Sequence, residues 1–231
     1  MRIISVVGAR PNFMKIAPLV AEFSRIPGIS HLLVHTGQHY DPGMSAIFFE
    51  ELSIPAPDVD LGVGSGSHAA QTAQIMMEFE TVCDQTPPDL VVVVGDVNST
   101  MAATLVAAKR NIPVAHVEAG LRSFDRTMPE EVNRVVTDQL ADYLFTTSPE
   151  AGDNLKREGV SPDKIHFVGN VMIDTLLTHR KRAEGLNVQS RMGLEGKPYA
   201  LMTLHRASNV DNPTILRDIL TAVQDIAASL P

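Results

Sequence analysis

Short apolar runs alternate along this chain with longer segments in which apolar residues recur at helical spacing. Most of the short runs are continuous in Val, Ile and Leu, which is typical of parallel strands buried on both faces. They predict strands at residues 2–7, 31–36, 90–95, 113–117, 143–147, 165–168 and 200–203. The intervening segments predict helices near residues 12–26, 43–52, 68–85, 98–110, 129–141, 149–158, 170–184 and 212–229.

This alternation predicts an α/β fold with a Rossmann-like, doubly wound parallel sheet. Right-handed crossovers then place the carboxyl ends of all strands along one edge of the sheet. Charged residues and glycines over 180–198 interrupt the pattern, and one βα unit follows, too little to bury both faces of its strand. We therefore expect a first domain over 1–184 and a connector with the start of a second domain over 185–231. The alternative is that the last unit extends the first sheet.

The composition argues against several classes of protein. The net charge is −8, which argues against a nucleic-acid surface because phosphate binding needs clustered Lys and Arg. The single cysteine, Cys83, excludes an intrachain disulfide and is predicted to be a buried small hydrophobic residue rather than a catalytic thiol. No run approaches the roughly 18 apolar residues of a membrane helix. We expect a cytoplasmic protein without a signal peptide or membrane association.

The densest group of polar residues follows the predicted strand 113–117. Glu118, Gly120 and Arg122 come first, and an acid-rich helix start at 128–134 follows. A carboxylate, a glycine turn and an arginine within about one βα unit are what polar chemistry at a sheet edge requires. This segment predicts an enzyme.

Asp96 comes directly after another buried strand. It serves either as an acid or base that faces the crevice, or as a helix cap or orienting group. Asn98 or Ser99 is predicted to cap the helix that follows. Glu130 and Arg134 are four residues apart and share a helix face, where they form either a surface ion pair or part of the same site.

Two further strand ends suit an anion. Residues 8–15 follow the first strand and open a helix, but they lack the G-x-G-x-x-G pattern of a dinucleotide site. The helix N-terminus, Arg10 and Lys15 together suit a diphosphate, although a turn glycine with two solvated cations explains the same residues. His205 and Arg206 follow the last predicted strand and again suit an anion.

The segment with His35, His39 and Asp41 invites a metal interpretation. No matching Cys or His pair occurs elsewhere in the sequence. We interpret it instead as a polar loop that contacts a ligand or holds the strand end, and we predict no metal site.

Taken together, these motifs resemble the UDP-N-acetylglucosamine 2-epimerase family of the bacterial non-hydrolysing type. The matching segments occur in order along essentially the whole chain, at residues 8–19, 35–45, 95–100, 116–123, 129–134, 169–174 and 203–206. The resemblance implies two Rossmann-like domains in the GT-B arrangement, with a nucleotide sugar between them. It also implies conversion of UDP-GlcNAc to UDP-ManNAc, by elimination of UDP to a 2-acetamidoglucal and re-addition.

The resemblance further implies roles for single residues. The carboxylates for proton transfer and sugar binding are Asp96, Glu118 and Glu130, and the groups around the diphosphate and sugar are Arg10, Lys15, Arg134 and His205. Some bacterial members carry a second, regulatory UDP-sugar site near the loop with Gln38 and His39. No cofactor or metal is implied, and the full-length protein is expected to be a homodimer.

Members of this family run well beyond 231 residues, and their Asp-Ser-Gly-Gly and Gln-Glu-Glu segments match nothing here. We therefore expect a truncated chain that binds UDP-sugar weakly and turns it over poorly if nothing supplies the rest. Three alternatives stay open: a hydrolysing epimerase that releases free ManNAc, an epimerase of a UDP-linked 3-acetamido uronic acid, and an inactive nucleotide-sugar-binding domain.

Overall fold

A parallel β-sheet forms the centre of the first of two units into which the chain divides, Met1–His179 and Arg180–Pro231. The computed structural model describes residues 1–38, 42–204 and 207–229. The strands of the sheet are β1 (Arg2–Val7), β2 (Ser30–His35), β3 (Val59–Asp60), β4 (Leu90–Val94), β5 (Val114–Ala119), β6 (Tyr143–Thr146) and β7 (Ile165–Phe167). Their order across the sheet is β3-β2-β1-β4-β5-β6-β7 and each neighbouring pair is parallel.

Helices follow the strands along the chain. They are α1 (Arg10–Phe23), α2 (Pro42–Glu51), α3 (His68–Gln85), α4 (Asn98–Lys109), α5 (Pro129–Leu140), α6 (Pro149–Arg157), α7 (Val171–Gly185), α8 (Val188–Arg191), α9 (Ala207–Val210) and α10 (Pro213–Ser229). The predicted helices are confirmed in position, with α8 and α9 as short additions.

Continuous apolar strands need a hydrophobic core on each face of the sheet, and both cores are present. Ile4 of β1 and Val93 of β4 face one core, which contains Phe79 of α3 and residues of α4 and α6. Alternate residues, such as Val92, face the other, which contains Phe13 of α1 together with residues of α2 and α7. Because successive side chains on a strand point to opposite faces, each strand contributes to both cores. Helices cover both faces of the sheet, which confirms the prediction of a doubly wound sheet.

The strand order changes direction beside β1, since β2 lies on one side of it and β4 on the other. In open α/β sheets the loops at such a switch point diverge and leave a crevice at the carboxyl ends of the strands. The segments after β1, β4 and β5 therefore border the expected binding position.

The prediction of a strand at 200–203 is wrong. Residues 200–204 have no regular secondary structure, and the described residues of the second unit contain no strand. An apolar run forms a strand only where another strand offers it hydrogen-bond partners. The two-residue strand β3 was in turn too short to be predicted. The units divide five residues before the predicted boundary at 184, and the assignment of residues after 185 to a second domain stays a prediction.

Cys83 confirms its prediction as a buried small residue. Its side chain is enclosed by the core that contains Phe79, and burial raises the pKa of the thiol to about 11, so the sulfur stays protonated at neutral pH. Within the described ranges, no helix combines the length and the apolar character needed to cross a membrane.

Gly120 gives a test of how tightly the end of β5 packs. It has φ +79°, and a Cβ there would overlap the carbonyl oxygen of Ala151 in α6 and lie 2.8 Å from its carbonyl carbon. Gly159 also has positive φ, +87°, but an added Cβ would meet nothing within 4 Å. Both Gly→Ala changes carry backbone strain of about 1–2 kcal/mol. Only Gly120→Ala adds an overlap, typically about 1–3 kcal/mol.

We expect Gly120→Ala to lower the free energy of unfolding by clearly more than Gly159→Ala, as measured by urea denaturation followed by circular dichroism. Equal losses in the two variants would contradict the close approach of α6 to Gly120.

Candidate active site

Side chains from α1 and β5 converge beside Gly95, the residue that follows β4. A Cβ added to Gly95 would lie 2.8 Å from Lys15 Nζ, 3.5 Å from Asn12 Nδ2 and 3.5 Å from Glu118 Oε2. Lys15 and Asn12 belong to α1, and Glu118 belongs to β5. The structure therefore brings Lys15 and Glu118, two of the predicted site residues, to one place at the switch point.

Glu118 has a strained backbone. Its φ is +75°, and the pairing of β5 with β6 shifts register between Val117 and Ala119. A residue other than glycine at positive φ is uncommon, and the strain is of order 1–2 kcal/mol. Its carboxylate forms an ion pair with Lys15, and both side chains are largely buried. Strain held in place by a bulge and a buried pair is typical of residues with a function.

Asp96 follows Gly95 and forms an ion pair with Arg134 of α5. A quarter of the Asp96 side chain remains exposed, so the carboxylate is accessible. Arg134 also donates from Nη1 to Glu131 Oε2 over 3.0 Å. Its partner within α5 is thus Glu131, three residues away, while the predicted Glu130 lies exposed on the first turn.

Glu131 is a buried residue that the sequence analysis missed. Its carboxylate accepts the backbone N–H groups of Ser123 at 2.9 Å and Phe124 at 3.0 Å. Burial alone would raise the pKa of Glu131, but hydrogen bonds from Ser123, Arg134 and Phe124 outweigh it and hold the pKa below its usual range. The available signal was its place as the third residue of α5, where Glu commonly reaches back to free N–H groups.

A second buried carboxylate, Asp138, connects the ends of β4 and β5. His116 lies fully buried, with Nδ1 2.6 Å from Asp138 Oδ1 and Nε2 2.8 Å from the Gly95 carbonyl oxygen. Both ring nitrogens of His116 thus lie within hydrogen-bond distance of a buried oxygen atom. Asp138 Oδ2 also accepts the N–H of Gly120 at 3.0 Å and Arg122 Nη1 at 2.7 Å.

The charges around Asp138 decide its protonation. Burial opposes ionisation, but the positive charges and hydrogen bonds of His116 and Arg122 outweigh it, and the pKa of Asp138 lies below its ordinary value. Arg122 also binds Glu158 over 2.6 Å. Arg122 therefore holds the fold at this edge, and its guanidinium is almost fully enclosed.

A network of uncharged polar groups continues the site toward β2. Gln38 Oε1 accepts the backbone N–H of Ser99 at 3.0 Å and its hydroxyl at 2.6 Å. The Asn98 side chain donates to Gln71 Oε1 over 2.8 Å. The prediction that Asn98 or Ser99 caps α4 is wrong, because Val97 is the N-cap. The Asn98 side chain instead contacts α3, and the Ser99 hydroxyl contacts Gln38 in the loop after β2. Gln38 itself is buried.

The remaining predicted residues do not join this cluster. Arg10 is exposed at the first position of α1. His39, Asp41 and His205 lie outside the described residues. His35 Nδ1 lies 3.5 Å from Asp60 Oδ2, and no group of three His, Cys, Asp or Glu side chains within the described ranges is arranged to hold a metal ion.

Asp138→Asn tests the buried charge cluster. The change removes the buried carboxylate that His116 and Arg122 share, and removing one partner of a buried ion pair typically costs about 3–5 kcal/mol. Because the folded pKa of Asp138 is depressed, its contribution is complete above the unfolded value of about 3.9 and is lost as pH falls through the folded value. Urea denaturation should therefore show a large stability loss at neutral pH that shrinks in acid.

The matched control is Asp153→Asn, which removes an exposed ion pair with Lys156 and should change stability little. A loss of unfolding free energy in Asp138→Asn that is small at neutral pH, or that does not shrink in acid, would contradict the stabilising role of this charge cluster.

Comparison with known proteins agrees with this geometry. A sequence model described as UDP-N-acetylglucosamine 2-epimerase matches residues 21–231. The chain is 44% identical to a UDP-N-acetylglucosamine 2-epimerase of Methanocaldococcus jannaschii, covering 98% of this chain and 62% of that protein. It is also 44% identical to a UDP-2,3-diacetamido-2,3-dideoxy-D-glucuronate 2-epimerase of Pseudomonas aeruginosa, covering 98% of this chain and 63% of the relative.

Solved structures give the same result. The crystal structure of the M. jannaschii UDP-GlcNAc 2-epimerase in complex with UDP-GlcNAc and UDP matches with a TM-score of 0.89 and 45% identity, covering 98% of this chain and 62% of that one. This likeness confirms the predicted GT-B-type α/β fold. The chain thus spans somewhat less than two thirds of the relatives it matches. It belongs to the UDP-N-acetylglucosamine 2-epimerase family.

Proposed function

We propose that this chain supplies one wall of the active site of an epimerase that inverts C2 of a UDP-linked N-acetyl amino sugar and converts UDP-GlcNAc to UDP-ManNAc. The observation that carries the proposal is Glu118, held at φ +75° on a bulge and paired with buried Lys15 beside the loop of Asp96. Family membership and the likeness to a relative solved with UDP-GlcNAc and UDP support it.

The reaction needs acid/base groups and stabilisation of a leaving diphosphate. In the first half, a base takes the C2 proton, the C2–H electron pair forms the C1=C2 bond of a 2-acetamidoglucal, and UDP leaves with the C1–O pair. In the second half, C2 receives a proton on its opposite face and a diphosphate oxygen of UDP bonds again to C1. No net oxidation occurs, so the chemistry needs only proton transfer and charge stabilisation.

The proposed roles follow the positions of the side chains. Asp96 and Glu118 lie at the ends of adjacent strands, and each is paired with a cation. Either carboxylate is therefore a candidate to accept the C2 proton. Lys15, at the crevice, suits the developing charge on the leaving group. We keep Glu130 as a proposed catalytic carboxylate. Arg10, Arg134 and His205 stay proposed substrate contacts, and Gln38 and His39 a proposed regulatory contact.

The 3-acetamido uronic acid is the second candidate substrate. The P. aeruginosa relative at 44% identity is named for a diacetamido glucuronate, so identity alone does not separate the two sugars. The uronic acid carries an additional carboxylate, which needs a cation in its site. Assays with both UDP-sugars decide between them. Proton NMR of the products separates an epimerase, which yields the UDP-linked epimer, from a hydrolysing enzyme, which yields free sugar and UDP.

The epimerase activity is proposed for the polypeptide that carries this sequence. The chain spans 62% of the relative solved with UDP-GlcNAc, and for these 231 residues alone we expect weak UDP-sugar binding and little turnover. We also expect a homodimer of the full-length protein in the cytoplasm, which analytical ultracentrifugation and cell fractionation test.

Glu118→Gln tests the proposed chemistry. The change removes a proton acceptor but keeps the size of the side chain, and loss of general acid/base catalysis typically costs about 10²–10⁴-fold. We expect kcat for UDP-GlcNAc epimerisation to fall by at least about 10²-fold. Conversion is measured by proton NMR in the polypeptide that carries this sequence.

The matched control is Glu22→Gln, which makes the same change in a glutamate that forms an exposed ion pair with Arg25. This variant should keep the wild-type kcat. Thermal unfolding of both variants identifies any loss caused by misfolding. Near-wild-type kcat in folded Glu118→Gln would remove Glu118 from the chemistry.

A further inference from the structure

Three charged side chains form a continuous chain from the interior of the protein to the candidate site. Glu131 Oε2 lies 3.0 Å from Arg134 Nη1, and Arg134 Nη2 pairs with Asp96. Exposure increases along this chain, from 2% for the Glu131 side chain to 18% for Arg134 and 25% for Asp96. The guanidinium is therefore held at one end by a buried group and presents its other end to Asp96.

Glu131 cannot easily reorient, because both of its oxygens are engaged. Oε1 accepts the N–H of Phe124 at 3.0 Å, and Oε2 accepts the N–H of Ser123 at 2.9 Å in addition to Arg134. A carboxylate fixed by two consecutive backbone donors is a rigid support for a flexible arginine.

The same contacts shape the loop between β5 and α5. Phe124 has φ +59°, and the residue is 73% exposed. A strained aromatic residue keeps such a conformation only where its surroundings impose it, and Glu131 binds the N–H of that very residue. Glu131 thus connects the loop that follows Glu118 with the arginine that faces Asp96.

Given the proposed function, on which this inference rests, we propose that Glu131 is a positioning residue for the epimerase reaction. It acts through Arg134: by binding Nη1 it fixes the guanidinium so that Nη2 meets Asp96. A purely structural role is the competing explanation, in which Glu131 only fastens the loop at 123–124 to α5.

The variant that tests the proposal is Glu131→Gln, with Asp142→Asn as the control. Asp142 also accepts a backbone N–H, from Val114 at 3.0 Å, and lies 3.6 Å from Lys164, but it sits at the opposite edge of the sheet. We expect kcat/KM to fall about 10²-fold in Glu131→Gln, the loss typical of a misplaced reacting group. Asp142→Asn should keep the wild-type value.

A double-mutant cycle separates the two explanations. If Glu131 acts through Arg134, adding Glu131→Gln to Arg134→Gln has little further effect on kcat/KM. An equal fold-loss of kcat/KM in the wild-type and Arg134→Gln backgrounds would overturn the proposal. Glu131 would then only fasten the loop at 123–124 to α5. Should Glu131→Gln fail to fold, Glu131→Asp keeps the charge but shortens the reach, and the same cycle applies to it.

NMR of the Arg134 side chain tests the positioning without substrate, so a failure of the proposed function does not affect it. A guanidinium held by two carboxylates rotates slowly about Cζ–Nε, and we expect separate Nη1 and Nη2 resonances in the wild type and in Asp142→Asn. In Glu131→Gln they should merge. Separate resonances that persist in Glu131→Gln would overturn the proposal even if the wild type proves inactive.

Discussion

The buried interaction between Asp138 and His116 sets the geometry on which the candidate site depends. Asp138 binds the ring of His116, which contacts the carbonyl of Gly95, and it also accepts the N–H of Gly120. One carboxylate therefore determines where the segments that carry Asp96 and Glu118 lie relative to each other. Because an unpaired buried charge is costly, the cluster forms complete or not at all.

The rest of the site builds outward from this support. The bulge in β5 turns Glu118 toward Lys15, and α5 brings Arg134 to Asp96. Each of these two carboxylates thus has a cation beside it, while the strain at Glu118 is offset by buried contacts around it. The proposed removal of a C2 proton is assigned to one of these two carboxylates.

Much of the fold could be predicted from the sequence, because runs such as 90–94 are too apolar for any position but a sheet buried on both faces. The apolar run at 200–203 was wrongly predicted to be a strand. A strand forms only beside another strand, and the sequence does not reveal whether one is present. Glu118 and Asp96 could be predicted from their places directly after strands. Asp138 could not, because its partners lie about 20 residues away along the chain and it resembles any helical acid.

The choice between Glu130 and Glu131 had one signal in the sequence, the place of Glu131 as the third residue of α5. Adjacent helix residues point about 100° apart, so the path of the preceding loop also affects which of the two acids turns inward. The family resemblance implied a role for Glu130, which is exposed. The structure shows that its buried neighbour, Glu131, binds Ser123, Phe124 and Arg134.

The central claim is that carboxylates of this wall move the C2 proton of a UDP-linked N-acetyl amino sugar. The most direct measurement is proton NMR of UDP-GlcNAc incubated in D₂O with the polypeptide that carries this sequence. We expect UDP-ManNAc with deuterium at C2, and deuterium at C2 of the recovered UDP-GlcNAc as the reaction reverses. An epimer that keeps its original C2 hydrogen, or no exchange at C2 in either sugar, would contradict it.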